Sequence, residues 1–148
     1  MGSKIDLKFE ANEISADTII YQSVIPEDCY RIVSFIPKIE CSKCMLRIIP
    51  VMDSIAAIMN KSECTKLVII TDHNDYDVLQ KTLGELNVSH SIYVDVNNEF
   101  LEKNEMTNIM ARNKTVLVDK KGKIVLVGEP FHNSKMIDLY LNAVAYEQ

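Results

Sequence analysis

Apolar residues along this chain fall into short segments that alternate between two periods. Tyr30-Arg31-Ile32-Val33-Ser34-Phe35-Ile36 is β-branched and aromatic and reads as a buried strand. Lys66-Leu67-Val68-Ile69-Ile70-Thr71 is a continuous apolar run, fit for a strand covered on both faces. Ser91 to Val96 predicts a third strand. Between these segments the period lengthens. From Ser42 to Met59, the positions Met45, Ile48, Ile49, Met52, Ile55, Ala56 and Met59 step by three and four and predict one face of a helix. Asp75 to Leu86 predicts a second helix with Val78, Leu79, Leu83 and Leu86 inward, and Glu99 to Glu105 a short third one. Thr115 to Asp119 and Lys123 to Val127 flank Lys120-Lys121-Gly122 and predict a hairpin with glycine at the turn. Ser134 to Ala145 closes as a helix with Met136, Ile137, Leu139, Tyr140, Leu141 and Val144 at its apolar positions. Ahead of all this, Ile14 to Ile25 is mixed polar and β-branched and predicts an edge strand.

The order β-α-β-α-β-(α)-β-β-α calls for parallel pairing with right-handed crossovers, closed by an antiparallel hairpin. That is an α/β domain: a mixed central sheet flanked by helices. No repeat or Gly/Ser linker divides the chain, so residues 30–148 are expected to form the domain and residues 1–29 an N-terminal extension.

Composition narrows the function classes. A length of 148 residues with 47% hydrophobic residues suffices for a core without metal or disulfide staples. A net charge of −5 argues against a nucleic-acid binder, whose footprint is basic. No apolar run approaches the length of a membrane-spanning helix, and charges interrupt every apolar pair over residues 1–8, so no signal-peptide core is read there. Gly-rich phosphate loops, a nucleophilic serine elbow and H-E-x-x-H are all missing from the sequence.

The informative feature is Glu40-Cys41-Ser42-Lys43-Cys44, where the first strong strand hands over to the first long helix. A C-x-x-C step there puts Cys41 at the helix start and Cys44 one turn in. Free N–H groups and the positive dipole end stabilise a thiolate on Cys41, the nucleophile of disulfide exchange. Lys43 favours that thiolate and Glu40 opposes it. Two blander readings compete. The pair is half of a four-ligand zinc site, but Cys29, Cys64, His73, His90 and His132 supply no second close pair, so no metal site is assigned. Alternatively the two thiols are inert and buried, against which the strand-to-helix turn argues.

The C-x-x-C after a strand, the β-α-β-β-α finish and the Asp119 to Gly122 turn resemble the thioredoxin fold over roughly Tyr30 to Tyr146. The stretch from Thr115 through Gly128-Glu129-Pro130 to Leu139-Tyr140 looks like bacterial thioredoxin-like proteins of the cell envelope. The resemblance implies a thioredoxin-like three-layer sandwich and a thiol–disulfide oxidoreductase. Cys41 would attack and Cys44 resolve. Glu40, Ser42 and Lys43, with Arg112, Asn113 and Lys114, would contact the substrate peptide. No cofactor is implied; the partners are a protein thiol or disulfide and a recycling redox protein, in the periplasm or cell envelope. The oligomeric state is left open.

The sequence departs from the family pattern at four points. Asn113 stands where thioredoxins carry a cis-proline. Phe35 takes the place of the buried acid behind the resolving cysteine, and Glu40 that of the tryptophan before the motif. Pro50 comes one residue late in the helix. The missing cis-proline and the absent buried acid favour the alternative function, a non-catalytic thioredoxin-like binding module with a structural C-x-x-C bridge.

The family sheet order would also make the strands after Cys29 and Cys64 parallel neighbours, about 4.8 Å apart. A structural Cys29–Cys64 disulfide is then geometrically allowed, at the edge away from Cys41. His73 reads as a loop residue opening the next helix, His132 as surface structure, and Lys120-Lys121-Gly122-Lys123 as a solvated turn.

Overall fold

The computed structural model describes residues 4–37, 46–104, 115–130 and 134–146. Seven strands form one sheet: β1 (Ala11–Ile14), β2 (Ile19–Ser23), β3 (Tyr30–Ile36), β4 (Thr65–Thr71), β5 (Ile92–Asp95), β6 (Thr115–Val118) and β7 (Ile124–Val127). Four helices accompany them among the described residues: α1 (Ile49–Met59), α2 (Tyr76–Glu85), α3 (Glu99–Lys103) and α4 (Ser134–Tyr146). The strand order is β2-β1-β5-β4-β3-β6-β7. β3, β4 and β5 run parallel, and the outer pairs are antiparallel.

Period-two alternation divides the core between the two faces. Ile32, Ile36, Leu67, Ile69, Ile92 and Leu117 pack with residues of α1, α2 and α4. Val33, Phe35, Val68, Ile70, Tyr93 and Val116 pack with Phe100 of α3 and with Ile5 and Leu7 of the N-terminal segment. Both faces of the central strands are therefore covered, and their sequences are mostly apolar, with Arg31 and Ser34 of β3 as buried polar exceptions.

Four details correct the sequence reading. The region ahead of Tyr30 makes two strands rather than one edge strand over Ile14 to Ile25. Its turn closes through a Ser15 N–H to Thr18 carbonyl bond of 2.9 Å, without glycine or proline. The helix expected from Ser42 is regular only from Ile49 among the described residues, with Arg47 and Ile48 in a turn. Pro50 explains the break: it has no N–H for the carbonyl four residues back, and it is tolerated in a helix's first turn. Val78 on α2 is 44% exposed and Leu139 on α4 is 48% exposed, so both helices are rotated away from the phase that would bury them. The remaining boundaries follow local chemistry. Asp75 caps α2 by accepting from Val78 N–H (3.2 Å), and the Asp119 carboxylate accepts from Lys121 and Lys123 N–H in the hairpin turn, where Gly122 takes φ +86°.

A bulge shapes the β1–β2 pair. Ala11 faces Ser23 and Glu13 faces Ile20, so Asn12 stands opposite both Tyr21 and Gln22. Gln22 adopts φ +54°, and its N–H is taken by the Asn12 side-chain oxygen (3.0 Å). The Asn12 amide in turn donates to Tyr76 Oη (2.7 Å), tying the bulge to α2.

Two buried tyrosines give the fold an alkaline limit. Burial, helped by Glu13, pushes Tyr93 up to about 12, and burial, helped by Glu129, raises Tyr140 further. In the unfolded chain both ionise near 10. Above that pH the unfolded state releases protons that the folded state keeps, so stability falls as pH rises from about 10 towards 12. Urea titrations at stepped pH should show that decline. Tyr140→Phe, which also removes a hydrogen bond to the Gly128 carbonyl, should make it shallower.

Candidate functional site

β3 ends at Ile36 beside Thr71 of β4, and Ser34 of β3 faces Thr115, the first residue of β6. In sequence, Cys41 to Cys44 lies between β3 and α1, and Lys114 immediately precedes β6. The residues Glu40, Cys41, Ser42, Lys43 and Cys44 lie outside the described residues, as do Arg112, Asn113, Lys114 and His132. What the structure describes is the frame around them.

That frame is tied by buried hydroxyls. Thr71 Oγ1 donates to the Ile36 carbonyl (2.6 Å) and accepts from His73 N–H (3.1 Å). His73 Nδ1 accepts from Asp75 N–H (3.3 Å), so His73 is built into the loop that opens α2. Ser34 Oγ and Thr115 Oγ1 share a 3.0 Å hydrogen bond in full burial. The Thr115 carbonyl accepts from Gly128 N–H (3.0 Å). Gly128 sits at φ +123°, where an added Cβ would lie 2.9 Å from the Met136 Cε. Sequence reasoning missed these anchors. Their one signal was a hydroxyl inside or ending an apolar run.

The Ser34–Thr115 pair makes a test of the frame. Ser34→Ala should cost about 1–3 kcal/mol, because the Thr115 hydroxyl is left buried without a partner. Adding Thr115→Val should recover most of that loss, since no polar atom then remains to be satisfied. A double-mutant cycle by urea denaturation measures both steps.

Beneath the strand end the environment is apolar. Phe35 is 2% exposed and stacks on Phe100 with ring centroids 5.5 Å apart, and Phe9 tilts against the same ring at 5.8 Å. No carboxylate can titrate from the Phe35 position.

The other cysteine pair lies at the opposite end of β3. Cys29 and Cys64 form a disulfide with Cα atoms 5.0 Å apart. The parallel register explains it. Tyr30 faces Thr65, Tyr30 N–H donates to the Cys64 carbonyl (2.9 Å), and the residues one step earlier are brought side by side. Cys29 is buried and Cys64 half-buried. Joined to each other, these sulfurs do not supply the second half of a zinc site. Among the described residues, no group of three His, Cys, Asp or Glu is placed to hold a metal ion. Next to the bridge, a hydrogen bond from Lys120 holds the Glu63 carboxyl below its ordinary range, and Glu63 also accepts from Cys64 N–H.

Solved structures share this architecture. The thioredoxin domain of a thiol-disulfide oxidoreductase from Bacteroides vulgatus superposes with TM-score 0.68 at 16% identity, covering 97% of this chain and 96% of the other. The fold is thioredoxin-like. A putative thiol:disulfide interchange protein DsbE from Chlorobium tepidum shares the thioredoxin-like fold at TM-score 0.64 and 13% identity, covering 97% of this chain and 99% of that one. A 2-Cys peroxiredoxin from Plasmodium vivax reaches TM-score 0.64 at 16% identity, over 99% and 97%. No protein-family model matches the chain, and neither does any curated protein. Within the thioredoxin-like sheet, β1 and β2 extend the edge beyond β5, so the N-terminal extension contributes two of its seven strands. None of the described helices is long and apolar enough to cross a membrane.

Proposed function

We propose that the chain is a thiol–disulfide oxidoreductase whose reactive pair is Cys41 and Cys44. One observation carries the reading: a C-x-x-C lies in sequence directly between β3 and α1 of a thioredoxin-like sheet. The chemistry needs no cofactor. The Cys41 thiolate attacks one sulfur of a protein disulfide, an S–S bond forms between them, and the partner's other sulfur leaves as thiolate. Cys44, having lost its proton, attacks Cys41 sulfur and releases the partner's second thiol. Two electrons pass to the substrate, and Cys41–Cys44 is left oxidised until a dithiol partner re-reduces it. Glu40, Ser42, Lys43, Arg112, Asn113 and Lys114 form the peptide-contact surface in this reading. The Cys29–Cys64 bridge supports an extracytoplasmic location in this reading, since such disulfides persist in oxidising compartments.

The test is capture of the intermediate. Cys44→Ser should trap a mixed disulfide between Cys41 and a substrate protein, visible as a reductant-sensitive band, whereas Cys41→Ser should trap nothing. A second reading, the binding module with a structural C-x-x-C bridge, is favoured by the stacked Phe35 in place of a titratable group. The reduction potential of the pair separates the two. A value between about −270 and −120 mV fits exchange, and one below about −300 mV fits a structural bridge.

A further inference from the structure

We propose that a cleft at the N-terminal end of β3 binds a small ligand carrying a phosphate or pyrophosphate group. The cleft measures about 450 Å³, within the range of small-molecule sites. Its walls come from four separate parts of the chain and are held in place. The N-terminal segment is pinned to the hairpin turn by an Ile5 N–H to Gly122 carbonyl bond of 2.8 Å. On its other side Asn104 clamps Asp6, accepting from its N–H (2.7 Å) and donating to its carbonyl (3.0 Å).

Arg31, which is 3% exposed, is part of the lining. Two of its five N–H groups are used, one on the Pro26 carbonyl (3.0 Å) and one on the Asp119 carbonyl (2.7 Å). Its Nε–H is buried with no acceptor. A buried donor without a partner is rare in folded proteins, and with Nε closed off Arg31 contributes its positive charge to the cleft it lines. Burial disfavours the guanidinium charge, and Glu27, Asp119 and Asp28 offset that only in part.

The lining also includes Lys4, Lys8, Lys103, Lys120 and Lys121, against the two carboxylates of Asp6 and Glu27. Lys120 is engaged by Glu63 (2.8 Å) and Lys103 by Glu99 (3.2 Å). The ammonium groups of Lys4, Lys8 and Lys121 have no partner among the described residues. Six cationic side chains thus line one cavity of a chain of net charge −5, with Glu63, Glu99, Asp28 and Asp119 as neighbouring counter-charges. A phosphate group, which packs more than one negative charge into a small volume, fits that concentration. A polynucleotide does not, because it would need a basic surface extending beyond the cleft. The site is independent of the C-x-x-C, which joins β3 at its other end.

The experiment is calorimetric titration of the full oxidised chain with sodium pyrophosphate and with inorganic phosphate. Citrate at matched ionic strength is the carboxylate control. Pyrophosphate should bind with a Kd below about 1 mM, phosphate more weakly and citrate weakest. The exposed double substitution Lys8→Gln/Lys121→Gln should weaken pyrophosphate about tenfold without changing the circular dichroism spectrum. Arg31→Met should abolish binding if it folds, and the surface double variant carries the test if it does not. The proposal is overturned if no pyrophosphate binding is seen at millimolar concentration, if the double variant binds unchanged, or if citrate binds as tightly.

Discussion

Cys41→Ser is expected to drop the reduction of a protein disulfide to the background rate, a loss on the order of a thousandfold or more. The reason is chemical. Disulfide exchange proceeds through a thiolate, and a serine hydroxyl neither ionises near neutral pH nor forms the S–S intermediate. Turbidity of reduced insulin, or a DTNB-linked assay run against the dithiothreitol background, reads the loss. The control is Cys29→Ala/Cys64→Ala, which removes the other pair and should keep most of the rate. β3 separates the two ends by six residue steps, roughly 20 Å. If Cys41→Ser retained the wild-type rate, the oxidoreductase reading would fall.

The same double substitution should have its effect on stability instead. The bridge joins residues 35 apart in sequence, and closing a loop of that length removes unfolded-chain entropy worth roughly 3–4 kcal/mol. For a chain of this size that corresponds to a fall in Tm of about 10 °C. Urea and thermal denaturation of Cys29→Ala/Cys64→Ala against the oxidised wild type measures it. A loss under about 1 kcal/mol would mean that the register of β3 and β4 alone holds this edge together.

Much of this architecture was legible in the sequence where one residue's environment is local. Ile32 to Ile36 and Leu67 to Ile70 read as strands because both faces of the central sheet are covered and every position but Ser34 is apolar. Asp75 and Gly122 mark a cap and a turn by chemistry that acts within four residues. The β1–β2 hairpin was not legible. Its turn at Ser15 to Thr18 carries no glycine or proline, and β2 exposes Ile20 and Tyr21, so its pattern follows neither period cleanly. The helix break before Pro50 was hidden by an apolar spacing that runs straight through it.

The candidate site divides in the same way. The Cys29–Cys64 geometry needed only the parallel order of two strands, which a family resemblance supplies. Ser34 with Thr115, and Arg31 with the Asp119 carbonyl, pair residues more than 80 positions apart. No local pattern announces such partners. Arg31 in particular stands within a strand segment in the sequence, and only tertiary structure makes it part of a cleft.

The extra residue at Gln22 has a consequence for how copies of the chain treat one another. β2 is the outermost strand on its side of the sheet, and with Ile20, Tyr21 and Val24 exposed it is the kind of edge on which another strand can grow. The bulge turns the Gln22 N–H inward to Asn12 and sharpens the local twist, so an incoming strand meets no continuous hydrogen-bonding register along β2. An apolar edge is thereby kept from serving as a template for aggregation, by a backbone irregularity and without any charged side chain on β2 itself.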